Sequence, residues 1–122
     1  MKLHASAPSG AQVVTAYGDD YVTVSGVRYE QSIVVLPDRV QPWAALSFES
    51  LTEADFAALL QAGAEILILG TGAKQRFPHP RLTAPLARAG IGLEVMTMQA
   101  ACRTYNILVA EERKVAAALL FR

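Results

Sequence analysis

The chain has 122 residues, of which 52% are hydrophobic and 18% are charged, and its 11 basic and 11 acidic side chains give a formal net charge of zero. This composition excludes a disordered polyelectrolyte and predicts a single domain, residues 1–122, that is long enough to bury a substantial core. The zero net charge also argues against non-specific nucleic-acid binding, which needs several Lys and Arg side chains to neutralise phosphates.

The amino-terminal part predicts a β-meander. Residues 12–36 alternate with period two, are rich in β-branched and aromatic residues, and are punctuated by Gly and Asp. We expect residues 1–10 to form a flexible tail ahead of this meander. The fourth segment is apolar throughout, which is typical of a strand covered on both faces. The predicted strands are 13–17, 21–25, 27–29 and 33–36.

A helical period follows. Thr52 and Asp55 fit a capping pattern, and Gly63 suits a left-handed stop, so we predict a helix over 53–62. The short apolar run 66–69 predicts a central strand.

A second helix is bracketed by Pro80 and Gly90. Pro85 lacks an amide proton, so it should lie in the first turn or kink the helix. The alternating residues 91–95 predict another strand.

Thr97 is a candidate cap for a third helix, in which Cys102 and Tyr105 lie on the apolar face while Gln99, Arg103 and Asn106 lie opposite. Residues 115–121 are ambiguous, because their alanines favour a helix, and we interpret them as a strand. These elements together predict an α/β protein with a three-layer fold: a central mixed β-sheet, flanking helices and the N-terminal antiparallel β-meander.

One candidate ligand site follows the central strand. Gly70, Thr71 and Gly72 could let backbone amides converge on an anion, with Arg76, Thr104 and Asn106 as polar partners. The third glycine of a dinucleotide fingerprint and the Gly-Lys-Ser/Thr ending of a phosphate loop are both missing. A sharp exit from a buried strand therefore stays open as the alternative.

The charges are distributed unevenly along the chain. Residues 1–65 contain three basic and eight acidic side chains, whereas residues 66–122 contain eight basic and three acidic ones. Between Glu65 and Glu94 the charged residues are all cationic: Lys74, Arg76, Arg81 and Arg88. This segment favours an anionic small molecule or an acidic patch on a protein partner, unless the cations pair with the acidic half of the chain.

No catalytic constellation or metal site is predicted. Cys102, the single cysteine, lies on an apolar helix face, and His4 and His79 are isolated. A single cysteine cannot form an intrachain disulfide, and no apolar run is long enough to span a bilayer, so we expect a soluble, cytoplasmic protein without membrane insertion. Trp43 is either an exposed anchor for a partner or a lid over a core edge.

Several local patterns resemble one family of small α/β domains, mostly of unknown function, whose eukaryotic members include a mitochondrial assembly factor for respiratory complex I and an adipogenesis-associated protein. The similarity extends from Ala11 to Phe121, and its most specific part is Arg103-Thr104-Tyr105-Asn106 combined with the glycine segment. It implies the three-layer fold and transfers no catalytic residue. The family usually has Glu-Gly-Arg where this chain has Glu111-Glu112-Arg113. If Glu112 adopts the left-handed conformation, the strain is about 1 kcal/mol; the alternative is a helix that continues further in place of the last strand.

Two functional hypotheses follow. The first is a non-enzymatic protein-interaction module that assists the assembly or regulation of a complex, acts without a cofactor, and is a monomer or weak homodimer. Its candidate partner surface is Trp43, Lys74, Arg76 and Arg81. The alternative is a binding protein or enzyme for a small anionic ligand at Gly70-Thr71-Gly72.

Overall fold

A computed structural model describes residues 1–3 and 7–122, which form two β-sheets and their flanking helices. The 3₁₀ turn Leu59–Ala62 directly extends the first helix. The other elements, in chain order, are β1 Val14–Tyr17, β2 Val22–Val24, β3 Val27–Tyr29, β4 Ile33–Leu36, β5 Arg39–Pro42, α1 Glu53–Ala58, β6 Ile66–Thr71, α2 Pro80–Arg88, β7 Gly92–Met96, α3 Met98–Ala110 and β8 Val115–Leu120.

The central sheet has the strand order β5-β4-β8-β6-β7 and is mixed. β6 runs parallel to both β7 and β8, whereas β4 runs antiparallel to β5 and β8. All six residues of β8 are buried. Because β8 lies between two strands, its ladder hydrogen bonds and burial outweigh the helical preference of its alanines.

The sheet separates two cores, because successive side chains of a strand point to opposite faces. In β8, for example, Ala117 belongs to the core shared with α3 and the small sheet β1-β2-β3, and Ala118 belongs to the core shared with α1 and α2. This arrangement confirms the three-layer α/β architecture.

The meander differs from its prediction in two ways. Only β1, β2 and β3 form the separate antiparallel sheet, whereas β4 leaves it for the central sheet. β5, which was not predicted, forms a hairpin with β4 around Pro37 and Asp38. Periodicity identifies a strand but not its neighbour, which is why the meander prediction assigns β4 to the wrong sheet.

The helix termini follow their local chemistry. Thr52 and Asp55 form a reciprocal capping box at α1, and Gly63 ends the following turn with φ +66°. Of the two alternatives at Glu112, the left-handed conformation is present, with φ +59°, and α3 ends at Ala110. Pro85 lies well inside α2 rather than in its first turn.

The first residues of the chain contact β1. The Leu3 N–H donates to the Thr15 carbonyl at 3.0 Å, and the Tyr17 N–H donates to the Met1 carbonyl at 3.0 Å. Residues 1–3 thus lie along the strand instead of leaving it as a tail, while His4 lies outside the described residues. None of the helices in the described part of the chain is long and apolar enough to cross a membrane.

Candidate protein-interaction site

The predicted glycine loop is mostly strand. Gly70 and Thr71 are the last two residues of β6, and the chain turns only at Gly72, where φ is +83°. The buried Thr71 hydroxyl donates to the Lys74 carbonyl at 2.6 Å and accepts the Arg76 N–H at 3.1 Å. These bonds hold the chain after Gly72 against the strand end, so this hydroxyl is occupied within the fold.

Gly70 serves packing. A Cβ atom at this position would lie 3.0 Å from Leu119 Cδ2 and 3.1 Å from Ala101 Cβ, closer than ordinary van der Waals contact. The missing side chain therefore lets α3 pack closely on β6 and β8. The alternative interpretation of the glycines, an exit from a buried strand, fits this geometry.

The predicted position of Asn106 on the polar face of α3 is wrong, because its side chain is buried at 7% exposure. Its Oδ1 accepts the Val14 N–H at 2.9 Å and its Nδ2 donates to the Val14 carbonyl at 2.8 Å. The carboxamide thus makes the two hydrogen bonds that a neighbouring strand would make, and it attaches the small sheet to α3.

The predicted anion ligands do not gather at Gly72. The carbonyl of Gly72 accepts the N–H of Met98, the first residue of α3. At 1.5 Å rise per residue, Thr104 and Asn106 lie about 9 and 12 Å further along the helix.

A cavity of about 450 Å³ lies at this strand exit, between the small sheet and the start of α3. Asp19 is the one charged side chain among the described residues that line it. No Lys or Arg side chain is among those lining residues, so the predicted cationic partners do not form an anion site here.

The buried cysteine also lacks the properties of a nucleophile. Cys102 lies on the buried face of α3 and is fully buried, and burial raises the pKa of its thiol to about 12. The neighbouring Tyr105 hydroxyl donates to the Gln12 carbonyl at 2.9 Å, and its pKa is raised by burial and by the charge of Asp38.

Two of the four cations between Glu65 and Glu94 pair with the acidic half of the chain. Arg76 contacts Glu49 at 3.0 Å, donates to the Thr71 carbonyl at 3.2 Å and stacks over the Phe48 ring. Arg88 contacts Glu53 at 3.6 Å. Arg88 thereby links α2 to α1, and Arg76 links the segment after β6 to the segment before α1.

The other two cations remain on the surface, in a segment that we call the basic loop, residues 73–81. Lys74 and Arg81 are exposed, and no ion pair within residues 1–3 and 7–122 includes either of them. Between them Phe77 is 70% exposed. Aromatic residues and Arg are enriched in protein interfaces, whose rims are polar, so this combination favours a protein-binding surface.

Local structure positions the basic loop. At its end the His79 Nδ1 atom accepts the Arg81 N–H at 3.0 Å and so caps α2, with Pro80 as the first helical residue. At its start the Thr71 hydroxyl holds Lys74 and Arg76. Sequence reasoning missed Phe77 because an aromatic residue outside a periodic segment gives no signal of its exposure; Pro78 beside it was the available cue.

Trp43 lies in the core rather than on this surface. Its side chain is 6% exposed, its Nε1–H donates to the Asp55 carbonyl at 3.0 Å, and its ring meets that of Phe56 edge-on at 6.1 Å. Of the two interpretations of Trp43, the structure therefore favours the lid over a core edge and not the exposed anchor for a partner.

The fold defines a small three-layer α/β domain of the Mth938-like type. A Mth938-like domain from Bordetella pertussis, solved by NMR, aligns with a TM-score of 0.78 and 36% identity over 98% of this chain and 92% of that one. A crystal structure of a Bordetella parapertussis protein aligns with a TM-score of 0.84 and 40% identity over 93% of this chain and 98% of that one.

The chain belongs to the DUF498/DUF598 family, described as a protein of unknown function, whose profile matches residues 14–120. It is 33% identical over 112 residues to the mouse protein named NADH dehydrogenase [ubiquinone] 1 alpha subcomplex assembly factor 3. That match covers 90% of this chain but 60% of the mouse protein's length. The family resemblance is thereby confirmed.

Proposed function

We propose that this protein is a non-enzymatic interaction module that assists the assembly or regulation of a protein complex, and that the basic loop is its docking surface. The observation that carries the proposal is the exposure of Phe77 between two cations that have no acidic partner among the described residues. The printed name of the mouse relative, an assembly factor, supports the same class of function.

The chemistry of the basic loop favours an acidic partner surface with an apolar pocket. Covering the Phe77 side chain would contribute about 1.5–3 kcal/mol through the hydrophobic effect. Lys74 and Arg81 would mainly accelerate and orient the encounter, because exposed charges steer association more than they add affinity. Arg76 orders the segment from within, and Trp43 supports the core, so neither needs to touch the partner.

The remaining features of the proposal concern the whole domain. One domain, residues 1–122, acts as a monomer or weak homodimer in the cytoplasm and needs no cofactor. A small anionic ligand is not part of the proposal, because no Lys or Arg side chain is among the described residues that line the cavity at the strand exit, and the Thr71 hydroxyl is occupied within the fold.

The test compares two charge reversals of equal size. In crosslinking and pull-down from native extract, Lys74→Glu with Arg81→Glu, and separately Phe77→Ser, should abolish a specific captured protein. Arg113→Glu with Lys114→Glu is the matched control, because these exposed residues precede β8 at the opposite end of the parallel strands.

The control variant should retain the captured protein. Higher ionic strength should weaken the capture of that protein by the wild-type chain. Equal capture by all variants would contradict the assignment of the docking surface to the basic loop. Capture of background proteins alone would contradict the interaction module itself.

A further inference from the structure

β7 has an open edge beside the basic loop. It is the last strand of the central sheet, and no strand of the described residues pairs with its outer side. Adjacent residues of a strand direct their backbone groups to opposite sides. The Met96 carbonyl contacts the Thr71 hydroxyl on β6, so Val95 and Leu93 direct their backbone groups outward.

A side chain of the basic loop already occupies part of this edge. The Gln75 Nε2 atom donates to the Val95 carbonyl at 2.9 Å in an exposed hydrogen bond. A primary amide donor in this position makes the contact that the N–H of an added strand would make. Gln75 lies between Lys74 and Arg76, so the edge and the basic loop form one continuous surface.

The opposite edge of the sheet, formed by β5, is protected against strand addition. The Trp43 N–H donates to the Ser32 carbonyl of the neighbouring chain segment at 3.1 Å, so Pro42, one residue earlier, faces outward from β5. Proline has no N–H to offer an incoming strand, and proline on an edge is a common protection against strand addition. β7 contains no proline and no cation.

We propose that an extended, acidic segment of the protein partner adds to β7 as a further strand and displaces the Gln75 amide. The deduction rests on the proposed function and specifies how the partner binds. The backbone groups of Leu93 and Val95 would provide the hydrogen bonds, while Lys74 and Arg81 would attract carboxylates of the segment.

A second copy of this chain is a poorer occupant. A two-fold antiparallel pairing centred on β7 would place Glu94 directly opposite Glu94 of the second copy, and like charges in facing positions destabilise a strand pair. An acidic segment of another protein can instead place an uncharged residue opposite Glu94, and the segment from 66 to 93 adds no carboxylate that would repel it.

The probe is a short capped peptide of alternating valine and glutamate, titrated into the ¹⁵N-labelled protein and followed by NMR. We expect shifts at the Leu93 and Val95 amides and at the Gln75 side chain, and weaker binding when glutamate is replaced by lysine. The peptide is also made in two N-methylated forms, one methylated on the valines and one on the glutamates.

Only one set of peptide N–H groups faces β7 in a strand pair. One methylated form should therefore lose about tenfold or more in affinity while the other keeps it. Equal binding of both methylated forms, or no binding of the parent peptide, would overturn strand addition. Loss of capture in the Lys74→Glu, Arg81→Glu variant would still support the proposed function in that case.

Gln75→Ala tests the displacement separately. Removing the competing amide should tighten peptide binding by about two- to tenfold, because one hydrogen bond no longer has to be broken. Gln61→Ala, at an exposed glutamine on a different part of the surface, should leave the affinity unchanged. Unchanged or weaker binding by Gln75→Ala would overturn the displacement of this side chain.

Discussion

Replacing Asn106 by Ala is expected to loosen the small sheet from the rest of the molecule. In the wild-type protein the Asn106 carboxamide satisfies both backbone groups of Val14, at 2.9 and 2.8 Å. Val14 is fully buried, so water cannot replace the lost partner without opening the structure. The variant would leave a buried donor and a buried acceptor unpaired.

The expected loss follows from those two groups. Each unpaired buried backbone group costs about 1–3 kcal/mol. Two of them give about 2–6 kcal/mol, a large part of the total free energy of unfolding of about 5–15 kcal/mol that is typical of such a domain. At roughly 3–5 °C per kcal/mol, a loss of about 4 kcal/mol should lower the midpoint of thermal unfolding by about 12–20 °C.

Urea denaturation measures the loss, and hydrogen exchange of the Val14 amide shows where it acts. Arg103→Ala, at an exposed position of the same helix, is the control and should change stability by about 0.5 kcal/mol or less. Asn106→Asp keeps the acceptor but turns a carboxylate oxygen toward the Val14 carbonyl.

The carboxyl group introduced by Asn106→Asp would have a raised pKa, because burial and the facing carbonyl disfavour its charge. The stability of this variant relative to wild type should therefore recover as the pH falls and the carboxyl becomes a donor. A loss below about 0.5 kcal/mol in Asn106→Ala, with unchanged protection of Val14, would refute this account of how the sheets are joined.

Four further outcomes are expected. Gly70→Ala should destabilise by about 1–3 kcal/mol in urea denaturation, because its Cβ would meet Leu119 and Ala101 at 3.0 and 3.1 Å; an unchanged midpoint would contradict the packing role. His79→Ala should cost about 1 kcal/mol through loss of the α2 cap, whereas His79→Asn should retain most of it, and equal losses would argue against capping. Glu112→Gly should stabilise by up to about 1 kcal/mol, because glycine relieves the φ of +59°; a destabilised variant would show that the strain is absent. The Cys102 thiol should resist alkylation in the native state. The free energy of unfolding should fall as pH rises from 9.0 toward about 12, because the thiol ionises first in the unfolded chain. Cys102→Ala should flatten this pH dependence, and an identical pH profile in the variant would contradict the role of the thiol.

The local chemistry of the chain was sufficient to predict most elements. The Thr52 and Asp55 capping pair, the stop at Gly63 and the Thr97 cap of α3 involve residues close together in the sequence. Such interactions depend on neighbours that are visible in the chain itself. The apolar run of β4 also predicted that both of its faces are buried.

Contacts between distant residues could not be predicted in this way. The helical period put Asn106 on a polar face, because its partner Val14 lies 92 positions away. The glycine pattern predicts a loop at Gly70 and Thr71, although pairing with β7 and β8 extends the strand through both residues. The cations of the second half were equivalent in the sequence, and only the fold separated the paired Arg76 from the exposed Lys74.

Local sequence was sufficient for the order and type of most segments and for the concentration of positive charge after Glu65. Which strand neighbours which, which cations are neutralised, the left-handed conformation of Glu112 and the exposure of Phe77 became visible only in the folded chain. Capping, turns and hydrophobic periodicity depend on residues that are close together in the sequence. Burial and strand pairing, in contrast, depend on surfaces that meet only after the whole chain has folded.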